Sequence, residues 1–389
     1  MKHMYDMTFR AGAGLPRRSF LALAAGAVAA GVPGCAKRAA SGGGAAYSVA
    51  LLGDTHFDST DSGFYHANYL GSTTKERYER HLAEHVRNAE MWRERMPALL
   101  RASAVSVGQD AAFILQMGDL VQGDCNDVSV HRRMLDDAFR AIKGVYGNRL
   151  PLVSVVGNHD IRGTGALETF DSWQAERVSK ELGRKVDDTT FLFRHGPDAF
   201  LLVDFNEPCP DFDRLLKLLD ESAGARHLFL VSHGPAIPSG SSRWFLLGGE
   251  KRSEQRRNLL HRLAKRNAIV LSGHTHKLEH YECVLPEGRV TQFVASSVWT
   301  DPKLASPRFI DNGAKDYGNR LKAAKGRQRD GSTPESLAAL VEEYRPYVRD
   351  YSYALGAGHF RLDVSDRRVS VAFFGGASYV PAHTYLLRG

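Results

Sequence analysis

The chain has 389 residues, of which 43% are hydrophobic and 24% charged, and its net charge is +7. That length gives one large domain or two ordinary ones with a substantial buried core, and the charged fraction is that of a globular protein. Residues 1–34 hold four basic residues against Asp6 alone, so the remainder is only mildly basic; this suits anionic substrates, and without a dense Lys/Arg stripe interleaved with aromatics there is no nucleic-acid-binding signature.

Leu15-Pro16-Arg17-Arg18-Ser19-Phe20-Leu21 precedes an Ala-rich apolar run that ends at Val32. A basic patch before a short apolar segment is the layout of a secretory signal, and the run falls short of the about 20 residues that span a bilayer. Arg17-Arg18-x-Phe20-Leu21 resembles the twin-arginine export motif. Val32-Pro33-Gly34-Cys35 resembles a lipoprotein cleavage site with Cys35 as the lipidated residue; the alternatives are cleavage elsewhere in the Ala/Gly-rich stretch or a retained anchor. Residues 1–34 are thus expected to be a signal peptide and 35–46 a flexible tether. The protein is expected to be exported, periplasmic or anchored at the cell envelope.

The mature chain alternates strand and helix signals. Short apolar runs at 47–52, 111–117, 152–156, 228–231 and 269–271 read as strands buried on both faces. Further strands are expected at 191–194, 200–204 and 290–295. Helical spacing marks 74–104, 128–143, 211–221, 253–265 and 334–344. This pattern argues for an α/β layered sandwich, with a core over 47–300. Residues 59–103 interrupt it as a cap-like insertion. Residues 301–389 read as a C-terminal extension, irregular and polar over 301–358 and closing in a hairpin of 360–364 with 369–374.

Each of five strands runs into polar residues: Gly53-Asp54-Thr55-His56, Gly118-Asp119, Gly157-Asn158-His159-Asp160, Ser232-His233 and Gly273-His274-Thr275-His276. Ligands of layered α/β folds sit at the carboxyl ends of strands. Carboxylate and imidazole are good ligands for Zn, Mn and Fe. Asp54 and His56, two apart, share one face of an extended segment, as do His274 and His276. Seven candidate ligands from five strand–loop junctions of one sheet exceed the about four to six one ion takes. Two ions sharing Asp119 is the economical reading, and two metals about 3.5–4 Å apart form a phosphoryl-transfer arrangement. Taken singly, each block has a plainer explanation: His233 as an ordinary histidine, 157–160 as a turn, 273–276 as a single zinc site.

In that order, D-x-H, G-D, G-N-H-D, a lone H and G-H-x-H resemble the signature of the calcineurin-like metallophosphoesterases. The resemblance implies a four-layer αββα sandwich. It implies that Asp54, His56, Asp119 and His276 bind one metal, and Asp119, Asn158, His233 and His274 the other. It also makes His159 the catalytic histidine and Asp160 its orienting partner. A hydroxide bridging the ions would attack phosphorus, and His159, kept charged by Asp160, would protonate the leaving group. Gln122 stands three positions after Asp119, where purple acid phosphatases carry tyrosine, so an Fe(III)–tyrosinate centre is not expected. The expected substrate is a phosphorylated small molecule or a lipid headgroup, as a monoester or a diester. The alternatives on the same core are a pyrophosphate- or nucleotide-sugar-cleaving hydrolase and a non-catalytic binding module.

Weaker candidates are Arg162 and Arg243 as phosphate-gripping side chains, and Trp244 to Leu247 as pocket lining or core. His66, His81 and His85 in the insertion, and Asp124 and Cys125 beside Asp119, are read as non-ligands. The four cysteines, Cys35, Cys125, Cys209 and Cys283, are too few for a disulfide scaffold.

Overall fold

Apolar runs without polar alternation become strands covered on both sides in the computed structural model, which describes residues 46–58, 75–206, 211–238, 245–248, 250–298, 306–322 and 333–389. The leader, Cys35 and the tether to residue 45 lie outside the described residues. One six-stranded sheet contains β1 (Tyr47–Leu52), β2 (Ala111–Gln116), β3 (Leu152–Ser154), β12 (Gly358–Val364), β13 (Val369–Gly375) and β14 (His383–Arg388). Its order is β14-β13-β12-β1-β2-β3. β1, β2 and β3 run parallel, while β12 pairs antiparallel with β1, Val49 opposite Leu362.

The second sheet has eight strands: β4 (Phe191–His195), β5 (Asp198–Val203), β6 (Leu228–Ser232), β7 (Ile269–Ser272), β8 (Leu278–Leu285), β9 (Gly288–Val294), β10 (Arg308–Asn312) and β11 (Val348–Leu355). Its order is β10-β11-β8-β9-β7-β6-β5-β4. The two sheets pack face to face. Val49 and Leu51 of β1 meet Phe229 and Val231 of β6, Leu271 of β7 and Phe360 of β12 in one buried cluster. The alternate residues face the outer layers. Ala50 and Leu52 meet α1 (Lys75–Glu94), α2 (Met96–Ser106), α3 (Val128–Tyr146) and α4 (Ala166–Leu182). Leu228 and Leu230 meet α5 (Phe212–Glu221), α6 (Ser253–Lys265) and α8 (Pro334–Tyr344), the short α7 (Asn319–Lys322) contributing Leu321. The period of two thus feeds two cores from one strand, and the layers are α, β, β, α.

Two expectations change. The segment 301–389 is not appended to the core: β10 and β11 extend the second sheet beside β8, and β12 to β14 complete the first. β10 carries charges because it is the edge strand, and the charges of β11, Arg349 and Asp350, are exposed at its start, before the residues that pair with β10. The helix expected over 74–104 is two helices broken at Arg95, because Pro97 sits in the first turn of α2 and lacks the donor that a continuous helix needs. Within the 59–103 insertion, Met91, Trp92, Met96, Leu99 and Leu100 bury against the first sheet. Each such side chain contributes about 1.5–3 kcal/mol of burial, so these helices form part of the outer layer.

Candidate metal centre

Both sheets end their parallel strands at the same edge, and the candidate ligands sit there. The loops after β1, β2 and β3 carry Asp54, His56, Asp119 and Asn158 from the first sheet. The loops after β6 and β7 carry His233, His274 and His276 from the second. The five junctions therefore come from two sheets, not one, and the site straddles their seam. Four of the seven ligand positions are left-handed: His56 (φ 40°), Asp119 (52°), His274 (72°) and His276 (55°). Such backbone is strained for residues with a Cβ and persists only where neighbours hold it. Here Thr55 and His56 N–H both donate to the Asp119 carbonyl at 3.0 and 2.8 Å. The His274 N–H donates to Asp54 Oδ1 at 3.1 Å. Gly118 (φ 89°) leaves room for a ligand: a Cβ there would lie 2.4 Å from His233 Nδ1.

The donor atoms converge in two groups. In the first, His276 Nε2 is 3.1 Å from both Asp54 Oδ2 and His56 Nε2. In the second, His233 Nε2 is 3.1 Å from Asp119 Oδ2 and 3.2 Å from His274 Nδ1. Asp119 belongs to the second group and also lies 3.8 Å from His56 Nε2, between the two. His233 donates its Nδ1 proton to the Met117 carbonyl at 2.8 Å, so its Nε2 lone pair faces the site. Asn158 Oδ1 is buried with no hydrogen-bond partner.

This donor set fits two cations. Imidazole nitrogens face each other across hydrogen-bond distance, and two fully buried carboxylates have only histidines as ion-pair partners among the described residues. Burial raises the proton affinity of Asp54 more than His276 and His233 lower it. Burial works the same way on Asp119, but His233, His159 and His56 hold it well below the usual carboxylate range. His233 resists its own burial and is pushed up to about 9 by Asp119. Protons are here shared among groups that a cation would hold together.

His159 stands beside this cluster, with a ring nitrogen within 4.8 Å of the ligand atoms of His56 and Asp119. Its Nδ1 donates to the Gln122 carbonyl at 2.9 Å, and its Nε2 accepts from Arg162 at 3.2 Å. Burial, then Arg162, push it down to about 4. Asp160 does not orient this ring. Its two oxygens accept from the Val121 and Gly157 amides at 3.0 and 2.8 Å, which ties the loop after β2 to the loop after β3. Burial and then Asp119 push Asp160 up to about 8. The expected Asp160–His159 pair fails because both carboxylate oxygens are spent on backbone donors.

One helix face supports the site unannounced by any ligand motif. His85, Asn88 and Trp92 of α1 lie at i, i+3 and i+7, a spacing that shares a face. His85 Nδ1 is 2.5 Å from Asp58 Oδ2, Asn88 donates to Gln122 Oε1 at 2.7 Å, and Trp92 donates to the Thr55 carbonyl at 2.9 Å. Gln122, at the tyrosine position of purple acid phosphatases, thus turns its side chain to α1. Phe205 also escaped notice; its ring centroid is 5.3 Å from those of His233 and His274. Neither His81 nor His85 joins a ligand group. Phe245, Leu246 and Leu247 belong to the outer core of the second sheet. His66, Cys209, Arg243 and Trp244 lie outside the described residues.

The family model of the calcineurin-like phosphoesterases matches residues 47–278, more than half of the chain and all seven ligand positions. The chain belongs to that family. No curated protein matches it. Among solved structures, this calcineurin-like phosphoesterase is similar to GAP50, the anchor in the inner membrane complex of Plasmodium, at 12% identity, covering 88% of this chain and 89% of that one with a TM-score of 0.45. It is also similar to the purple acid phosphatase PPD1 of yellow lupin (Lupinus luteus) seeds, at 11% identity and TM-score 0.49, covering 88% of this chain. There the match spans only 54% of the lupin chain. PhoD matches at 10% identity and TM-score 0.46, covering 88% of this chain and 70% of its own.

Proposed function

We propose that the chain is an exported, metal-dependent hydrolase of phosphoesters. The observation that supports it is the convergence of ligand atoms from four loops, with ring nitrogens 3.1–3.2 Å apart around two buried carboxylates. Asp54, His56, Asp119 and His276 would hold one ion of the Mn, Fe or Zn class, and Asp119, Asn158, His233 and His274 a second. Such a pair, when bound, activates water and neutralises charge on the phosphoryl oxygens. His159 holds its proton at Nδ1 and leaves Nε2 as the acceptor, facing Arg162 beside the site. A phosphoryl anion beside that ring favours its charged form. Once the Arg162 N–H turns from Nε2 to the phosphoryl oxygen, Nε2 takes up a proton from solvent and delivers it to the leaving oxygen. The His56 and His159 rings meet edge to face, 4.6 Å between centroids, which holds the orientation of the His159 ring.

Arg17-Arg18-x-Phe20-Leu21 supports export in the folded state, and Cys35 a lipid anchor at the cell envelope. The substrate then comes from outside the cytoplasm: a phosphorylated small molecule or a lipid headgroup.

The test uses the leaderless protein reloaded with Mn(II), p-nitrophenyl phosphate and bis-p-nitrophenyl phosphate. Turnover of at least one ester is expected, abolished by chelation, and His159→Ala is expected to keep its metal while losing at least about 100-fold in kcat. A protein with two ions bound that hydrolyses neither ester sinks the reading.

A further inference from the structure

We propose that Arg162 is a specificity-determining residue that binds a phosphoryl oxygen of the substrate and selects dianionic phosphomonoesters over diesters; this rests on the phosphoesterase reading above. Arg162 lies in the loop after β3, three residues beyond His159, and its side chain is 30% exposed. One guanidinium nitrogen is 3.2 Å from His159 Nε2. A nitrogen of that same ring lies within 4.8 Å of the His56 and Asp119 ligand atoms. The guanidinium is therefore one side chain removed from the ligand cluster, close enough to reach a phosphoryl group held there.

It is also aimed. A second guanidinium nitrogen donates to the carboxylate of Asp124, and Nε is buried without a partner. A guanidinium has five N–H donors in a rigid fork, and the named contacts use two. The loop that supplies Asp124 is shaped for this contact. Asp124 itself is left-handed (φ 59°), and its N–H donates to the Arg162 carbonyl at 2.5 Å. Behind Asp124 stands α1: His85 Nε2 is 4.0 Å from Asp124 Oδ2, while its Nδ1 holds Asp58. Asp58, His85 and Asp124 are all buried. A surface arginine needs no such buttress. Asp124 offsets the cost of bringing the cation into the site and leaves the outward N–H groups free to bind oxygen.

The charge of the substrate decides what this arginine selects. A monoester presents two negative charges and three unesterified oxygens, whereas a diester presents one charge and two such oxygens. A third cationic group beside two metal ions therefore favours the monoester, and its planar fork suits phosphate better than a lysine does.

The experiment compares the wild-type leaderless protein with Arg162→Lys and with the double variant Arg162→Met/Asp124→Asn, which avoids an unpaired buried carboxylate. All are loaded with Mn(II), and metal content and melting temperature are recorded. The double variant is expected to keep two ions per chain. It should lose about 100-fold in kcat/KM for p-nitrophenyl phosphate and less than about 10-fold for bis-p-nitrophenyl phosphate. Its affinity for inorganic phosphate, measured by calorimetry, should fall at least about 10-fold, with Arg162→Lys between the two. An equal loss on both esters overturns the proposal, as does loss of metal from the variants. If the wild type hydrolyses neither ester, the functional reading fails, and phosphate calorimetry still judges Arg162: unchanged affinity in the double variant overturns its role.

Discussion

Asn88→Leu puts a number on how firmly α1 holds the site. Asn88 Nδ2 donates to Gln122 Oε1 at 2.7 Å, and both residues are no more than 2% exposed. Removing the donor strands a buried amide oxygen, which costs about 1–3 kcal/mol. Gln122→Met strands the Asn88 donor instead and costs a similar amount. Each amide already keeps one unpartnered atom, Asn88 Oδ1 and Gln122 Nε2. Replacing both with apolar groups of like shape therefore removes four polar atoms at once, and such paired replacements are nearly neutral. The double variant is expected to be at least as stable as either single one, with a coupling energy of about 1–2 kcal/mol. Urea unfolding of the leaderless, metal-free protein measures all four corners of the cycle. A double variant destabilised by the sum of the two single losses would refute the reasoning, because the two amides would then act independently.

Gly157→Ala tests the close approach of two loops: the new Cβ would lie 2.1 Å from the Asp119 nitrogen and 2.2 Å from its Oδ1. Metal content is expected to fall to one ion per chain or fewer while the circular dichroism spectrum stays that of the wild type. His359, buried in β12 with its ring stacked on Phe374, is pushed down to about 4 by burial. In the unfolded chain it titrates near the usual histidine value of about 6.5. The fold therefore loses stability as pH falls from about 6.5 to about 4, by about 3 kcal/mol in all. His359→Phe is expected to narrow the gap between the melting temperatures at pH 7 and pH 4.5; an unchanged gap would show that other groups set it.

The strands that were legible are those buried on both faces, because nothing but an apolar run satisfies two cores. β1 and β6 are of this kind. β10 carries Arg308 and Asp311 at the sheet edge, and β11 carries exposed Arg349 and Asp350 at its start, so their sequences resemble loops. The ligands were legible as chemistry, since Asp, Asn and His recur after strands, but their division between two sheets was not, because strand order is a long-range property. Asp160 shows the limit most clearly. Sequence places it next to His159, and adjacency suggests a pair; only the folded backbone reveals two amides that claim its oxygens. His85, Asn88 and Trp92 carried a readable signal, a polar stripe at helical spacing, but nothing in the sequence said which loops it would meet.

The pairing of β1 with β12 has a consequence for synthesis. Every candidate ligand has been synthesised by residue 276, yet the strand that pairs with β1 on the side away from β2 lies at Gly358–Val364. Sequence separation of that size makes sheet closure a late and slow event. A nascent chain therefore carries all its ligand side chains before it owns the frame that aims them. A product released early by a stop codon near residue 300 would keep the whole set of donor residues and still leave one side of its first strand unpaired.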